Sequence, residues 1–143
     1  MDQNQTLDEL ALTDVKPKIY SRHAIWGFSF LFSPLVGGIL LSQNLKDIGN
    51  KRKANSVLIT AISMTIVLLI IAYLPTRPIP LLPIIYNGAG GLLFSEFYFR
   101  KYFSSGEDYE KKKIWKPLLI CFGIILAFFL AAIVIDLIQN DIV

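Results

Sequence analysis

The stretch from Ala24 to Ala54, AIWGFSFLFSPLVGGILLSQNLKDIGNKRKA, constrains the fold more than any other: a long apolar run, interrupted once by proline, empties into a basic loop. Three more apolar runs follow, separated by proline-rich or charged segments. With 54% hydrophobic residues in a chain of 143, there is more apolar surface than one soluble core buries, and the surplus must face lipid. A helix rises about 1.5 Å per residue, so a run of about 20 residues covers the hydrocarbon core. The expected fold is therefore all-α, a four-transmembrane-helix integral membrane protein with spans at about 24–45, 56–74, 79–97 and 117–138. A polar tail, residues 1–23, precedes them.

The tail lacks the basic start, short apolar core and small-residue cleavage site of a signal peptide, so it is expected to stay on the chain and to be flexible. A short helical turn around Leu7 to Leu12 is a weaker expectation. In the first run, Trp26 suits the headgroup boundary. Ser29, Ser33 and Gly37 recur every four residues and line one helix face with side chains small enough for a second backbone to approach. Pro34 removes a backbone donor and displaces the carbonyl of Phe30, which predicts a kink and an acceptor in need of a partner. Gly49 with Asn50 is a helix stop.

The second run carries Ser56, Thr60 and Ser63, read as a packing face. Pro75, Pro78 and Pro80 predict a chain reversal. The third run is the least regular, with Pro80 and Pro83 at its start and Asn87, Gly88, Ala89, Gly90 and Gly91 at its middle. Two forms are open, a thin, closely packed helix or a partly unwound one, and the intact helix is expected. It leaves through an aromatic belt, Phe94 to Phe103, in which Glu96 and Arg100 sit four residues apart and predict an ion pair. After a mixed charged loop, Pro117 is placed to open the last helix, where Gly123, Ala127 and Ala131 again repeat every four residues.

Orientation follows from the basic residues. Lys46 to Lys53 and Arg100 to Lys116 together carry ten Lys and Arg, against four in the tail and at Arg77. Four spans then place both basic loops in the cytoplasm and both termini outside. The net charge of +3 is a topology signal of this kind, and there is no contiguous basic face for nucleic acid.

No catalytic residue, cofactor site or metal site is expected, and the chain is not expected to be an enzyme. The single Cys121 and single His23 each lack a partner of their kind for a disulfide or a metal cluster. Asp136 and Glu96 fall at opposite boundaries by helical rise. Asn87 falls near the midplane, ten residues past Arg77, where an amide needs a partner; the carbonyl of Phe30 is the one predicted.

Tyr20-Ser21 and the run from Ala24 to Ala54, with Ser33, Pro34, Gly37, Gly38, Asn44, Leu45, Ile48, Gly49 and Ala54, resemble the opening of a set of small uncharacterised bacterial multi-pass inner-membrane proteins. That resemblance covers about a quarter of the chain and implies a multi-pass protein of the bacterial inner (plasma) membrane with no activity attached. The expected function is that of an interaction or accessory protein acting through helix association, with the lipid bilayer and a homo-oligomer or larger membrane complex as partners. Its helix-packing candidates are Ser29, Ser33, Pro34, Gly37, Asn87, Gly123, Ala127 and Ala131. The alternative is a small transporter or channel lined by the first and third runs.

Overall fold

The computed structural model describes residues 16–73, 80–103 and 109–141. The expected turn at Leu7 to Leu12, the flexibility of the tail, most of the proline reversal and the middle of the charged loop lie outside the described residues. The chain is mostly helical, as expected. It divides into two compact units, residues 1–112 and 113–143.

In the first unit, β1 (Lys18–Ile19) leads into α1 (Arg22–Leu31), which Ser21 caps by accepting from the Ala24 N–H at 3.2 Å. The expected single helix over 24–45 does not form. α1 ends where the Phe32 N–H bonds to the Phe28 carbonyl, Ser33 is fully extended (φ −177°, ψ 160°), and α2 (Pro34–Asp47) begins. The cause is local. Proline pushes the residue before it out of the helical region, and at the first position of a new helix its missing N–H costs nothing. Pro34 therefore starts a helix where a kink inside one was expected.

The two helices lie antiparallel. Tyr20, before α1, pairs with Asn44 near the end of α2, while Ser29 and Ile25 face Gly37 nearer the turn. At about 1.5 Å per residue they reach about 15 and 21 Å, each short of the roughly 30 Å of a hydrocarbon core.

α2 stops in a Schellman arrangement: Asn50 N–H bonds to Leu45 O at 2.7 Å, Gly49 N–H to Lys46 O at 2.9 Å, and Gly49 takes the left-handed backbone (φ 79°). α3 (Lys51–Tyr73) follows at once, five residues earlier than the expected second span. α4 (Leu82–Leu92) continues through a π-helical turn (Leu93–Tyr98) into α5 (Phe99–Tyr102), so the glycine-rich third run is helical from Leu82 onward.

A short β2 (Glu110–Lys111) pairs in parallel with β1, an element the sequence did not predict. It closes one end of the unit. Lys112 N–H donates to Ile19 O at 2.7 Å, Lys112 Nζ reaches Asp47 Oδ2 at 2.7 Å, and Lys18 pairs with Glu110 at 3.2 Å. The segment before α1, the loop after α2 and the segment after α5 thus share one end. The N-terminal segment, expected across the membrane from the basic loops, lies beside them here, because the first apolar run returns to the end it started from.

The core of this unit lies between α2, α3 and the π turn, with Leu40, Leu41, Leu45, Val57, Ala61 and Phe94 buried. Burying such side chains is worth about 1.5–3 kcal/mol each in water, but in lipid the gain comes from close packing.

The second unit is α6 (Trp115–Asp141). Pro117 falls in its first turn, where the backbone donors are unsatisfied in any case. Apart from the half-buried Leu118, every large apolar side chain described on it is exposed, including Leu119, Phe128 and Leu137. Among the described residues, two helices are long and apolar enough to cross a membrane, over Lys51–Ile71 and Trp115–Gln139.

Candidate functional site

The first unit is organised around the tip of the α1–α2 hairpin and the glycine-rich stretch of α4. Three close approaches define it. A Cβ on Gly37 would overlap Ser29 Oγ and come within 2.9 Å of the Ile25 carbonyl, so α1 and α2 meet at a distance only glycine allows. A Cβ on Gly90 would lie 2.6 Å from Pro34 Cβ, and one on Gly91 would lie 3.2 Å from Trp26 Cδ1 and 3.3 Å from Ser29 Cβ. On the other side of α2, a Cβ on Gly38 would overlap that of Ala61 on α3. Gly90 and Gly91 are buried, so the irregular middle of the third run is the socket for the hairpin tip.

Asn87 sits beside this socket and donates from Nδ2 to Phe30 O at 3.3 Å, the partner predicted for it. The acceptor is free for a different reason than expected: α1 ends one residue later and the chain turns, so no following helical N–H reaches it. Trp26 stacks on Phe30 (5.4 Å between centroids), and the Phe30 ring approaches Gly88.

At the other end of the hairpin, Asn44 is fully buried and acts as a second strand for Tyr20. Tyr20 N–H donates to Oδ1 at 2.7 Å, and Nδ2 donates to Tyr20 O at 2.8 Å. Both backbone groups of a buried residue are satisfied by one side chain. Glu96, carried by the π turn, joins α1 to α5: Arg22 Nη1 lies 3.3 Å and Arg100 Nε 3.0 Å from its carboxylate. The Glu96–Arg100 pair has the predicted spacing.

Of the packing candidates, Ser29, Pro34, Gly37 and Asn87 come together at the hairpin tip, and Ser33 forms its turn, its carbonyl accepting from Val36 N–H at 3.0 Å. Gly123, Ala127 and Ala131 lie on α6, all exposed, and a Cβ on Gly123 would have open space around it. Asn44, Gly38 with Ala61, and Gly90 with Gly91 were not among the candidates. The glycine pair was visible in the sequence as an irregularity, and the signal it carried was one of close packing.

The site's carboxylate is engaged by two arginines, and its buried hydroxyls, Ser29 and Ser42, have no base beside them among the described residues. No group of three or more metal-ligating side chains occurs among the described residues. Comparison with known protein families, characterised proteins and solved structures returns no match.

Proposed function

We propose that this chain is a multi-pass protein of a bacterial plasma membrane, without enzymatic activity, that acts as an interaction or accessory protein through helix association. The observation that carries the reading is the character of α6: 27 residues, apolar on every side, with no described face buried. Such a helix needs lipid around it, and it holds its small residues, Gly123, Ala127 and Ala131, open for a second helix. The other small-residue face, Ser29 and Gly37, is consumed inside the hairpin. That leaves α6 as the helix for a partner, a second copy or a larger complex.

Three crossings and one re-entrant hairpin follow from this reading. α3, the α4–π–α5 rod and α6 cross, while α1 and α2 enter and return. The N-terminal segment then joins the basic loops, so thirteen of the fourteen Lys and Arg lie on one side and only Arg77 on the other. That asymmetry is stronger than the ten to four of four simple spans. It puts the N-terminal segment in the cytoplasm and the C-terminal end of α6 outside. The resemblance of the first run to small bacterial inner-membrane proteins agrees with this location.

The test is Ala127→Leu in the full chain. Cross-linked or co-purified assembly should fall while the monomer keeps its melting temperature; unchanged assembly would remove the basis of the reading. A second reading, a small transporter, is favoured by the Phe30 carbonyl and Asn87 amide meeting at the hairpin tip. Flux into reconstituted vesicles that falls in Asn87→Leu would support it.

A further inference from the structure

Among the described residues, the carboxylates at the basic end of the first unit are committed: Asp47 to Lys112, Glu96 to Arg22 and Arg100, and Glu110 to Lys18. Two ammonium groups next to them are not. Lys53, in the first turn of α3, and Lys101, on α5, have no ion pair among the described residues, and both converge on Tyr102. Lys53 Nζ is 5.1 Å and Lys101 Nζ 5.9 Å from the centre of its ring. The ring face attracts each cation but cannot neutralise it. Lys51 and Arg52 add to the excess, since the first turn of α3 holds no acidic residue.

α3 and the rod meet here through long side chains, with Thr60 Oγ1 and Tyr98 OH 3.3 Å apart one turn below Tyr102. Deeper on the same two helices, Ile59 and Phe97 expose apolar surface, and Lys101 lies 5.7 Å over the Phe97 ring. A pair of cations with no ion pair among the described residues, set above apolar side chains and beside a tyrosine whose hydroxyl adds a donor, matches an anion that carries its own hydrocarbon.

We propose that Lys53 and Lys101, converging on Tyr102, bind the phosphate of an anionic phospholipid at the cytoplasmic boundary, its acyl chains running down past Phe97 and Ile59. This rests on the membrane reading above. The site takes a phosphate diester, and the apolar surface below it selects the lipid over a free anion.

Native mass spectrometry of the full chain in uncharged detergent, titrated with phosphatidylglycerol or phosphatidylcholine, tests it. Wild type should retain phosphatidylglycerol in preference to phosphatidylcholine. Lys53→Gln with Lys101→Gln should weaken that retention by roughly tenfold or more, Lys53→Arg with Lys101→Arg should keep it, and Lys111→Gln with Lys113→Gln, an equal loss of charge elsewhere, should leave it within about twofold. Equal retention by the Lys53–Lys101 and the Lys111–Lys113 glutamine pairs would overturn the site. So would displacement of the lipid by millimolar inorganic phosphate, which would make the ligand a soluble anion. Recovery of the chain in the aqueous fraction without detergent would instead sink the membrane reading itself.

Discussion

The α1–α2 hairpin and α6 begin from the same sequence signal and end in opposite states. Each carries small residues at every fourth position in an apolar run, Ser29, Ser33 and Gly37 in one and Gly123, Ala127 and Ala131 in the other. In the hairpin, Pro34 folds the run on itself, and the small residues become the contact between its two arms. In α6 no proline interrupts the helix after its first turn, so the run stays one long exposed rod. A stripe of small residues permits close approach; what sits between the stripes decides whether the approach is made within the chain. The hairpin is also tied by polar groups at both ends, Asn44 at its base and Asn87 at its tip.

The largest effect should come from the base. Asn44→Leu leaves the buried N–H and C=O of Tyr20 without partners, at about 1–3 kcal/mol for each group. A loss of about 2–5 kcal/mol in unfolding from detergent micelles is expected, with the first unit affected and the helicity of α6 retained. A stability within about 0.5 kcal/mol of wild type would show that the hairpin does not depend on this pairing. Next is the direct contrast between the stripes. Gly37→Leu must displace Ser29 and the α1 backbone, and overpacking of this kind costs about 1–3 kcal/mol or more. Gly123→Leu, in open space, should stay within about 0.5 kcal/mol in monomer stability. Equal costs at the two sites would erase the distinction drawn between them.

How far this contrast was legible differs along the chain. The helical class, the stop at Gly49, the Glu96–Arg100 pair and the Asn87–Phe30 bond follow from local rules of spacing and backbone chemistry. The hairpin does not, because hydropathy gives the same value to a run that crosses and a run that turns back. The deciding clue was Ser33-Pro34, since proline restricts the preceding residue to extended backbone and so favours a break over a kink. Asn44 gave no signal of its pairing, as nothing in the residues around it points to Tyr20, 24 positions away. Gly90 and Gly91 looked like a weakness in a helix when read alone. Their function as a socket appears only when the hairpin tip is placed against them.

Smaller effects sharpen the account of the tip and the base. Asn87→Leu should cost about 0.6–1.7 kcal/mol, the range for a hydrogen bond between membrane helices. Because the Phe30 carbonyl is freed by the turn, adding Pro34→Ala should leave that cost unchanged unless α1 and α2 fuse into one helix; a double variant that regains stability and lengthens the helix would mean that proline alone holds the hairpin open. Lys112→Ala removes a half-exposed ion pair with Asp47 and should cost about 0.2–1 kcal/mol, less at high salt. An effect beyond 2 kcal/mol would mean that the closure of the basic end, with β1 on β2, is worth more than its exposed charges suggest.

The central claim is that the first apolar run enters and leaves on one side. Single cysteines at Gln5, Asn50 and Asn140, with Cys121 replaced by alanine, are labelled in intact and permeabilised cells with a membrane-impermeant thiol reagent. Positions 5 and 50 should react only after permeabilisation and position 140 in intact cells. Positions 5 and 140 reacting together in intact cells, with 50 protected, would restore a single crossing over 24–45 and contradict the hairpin.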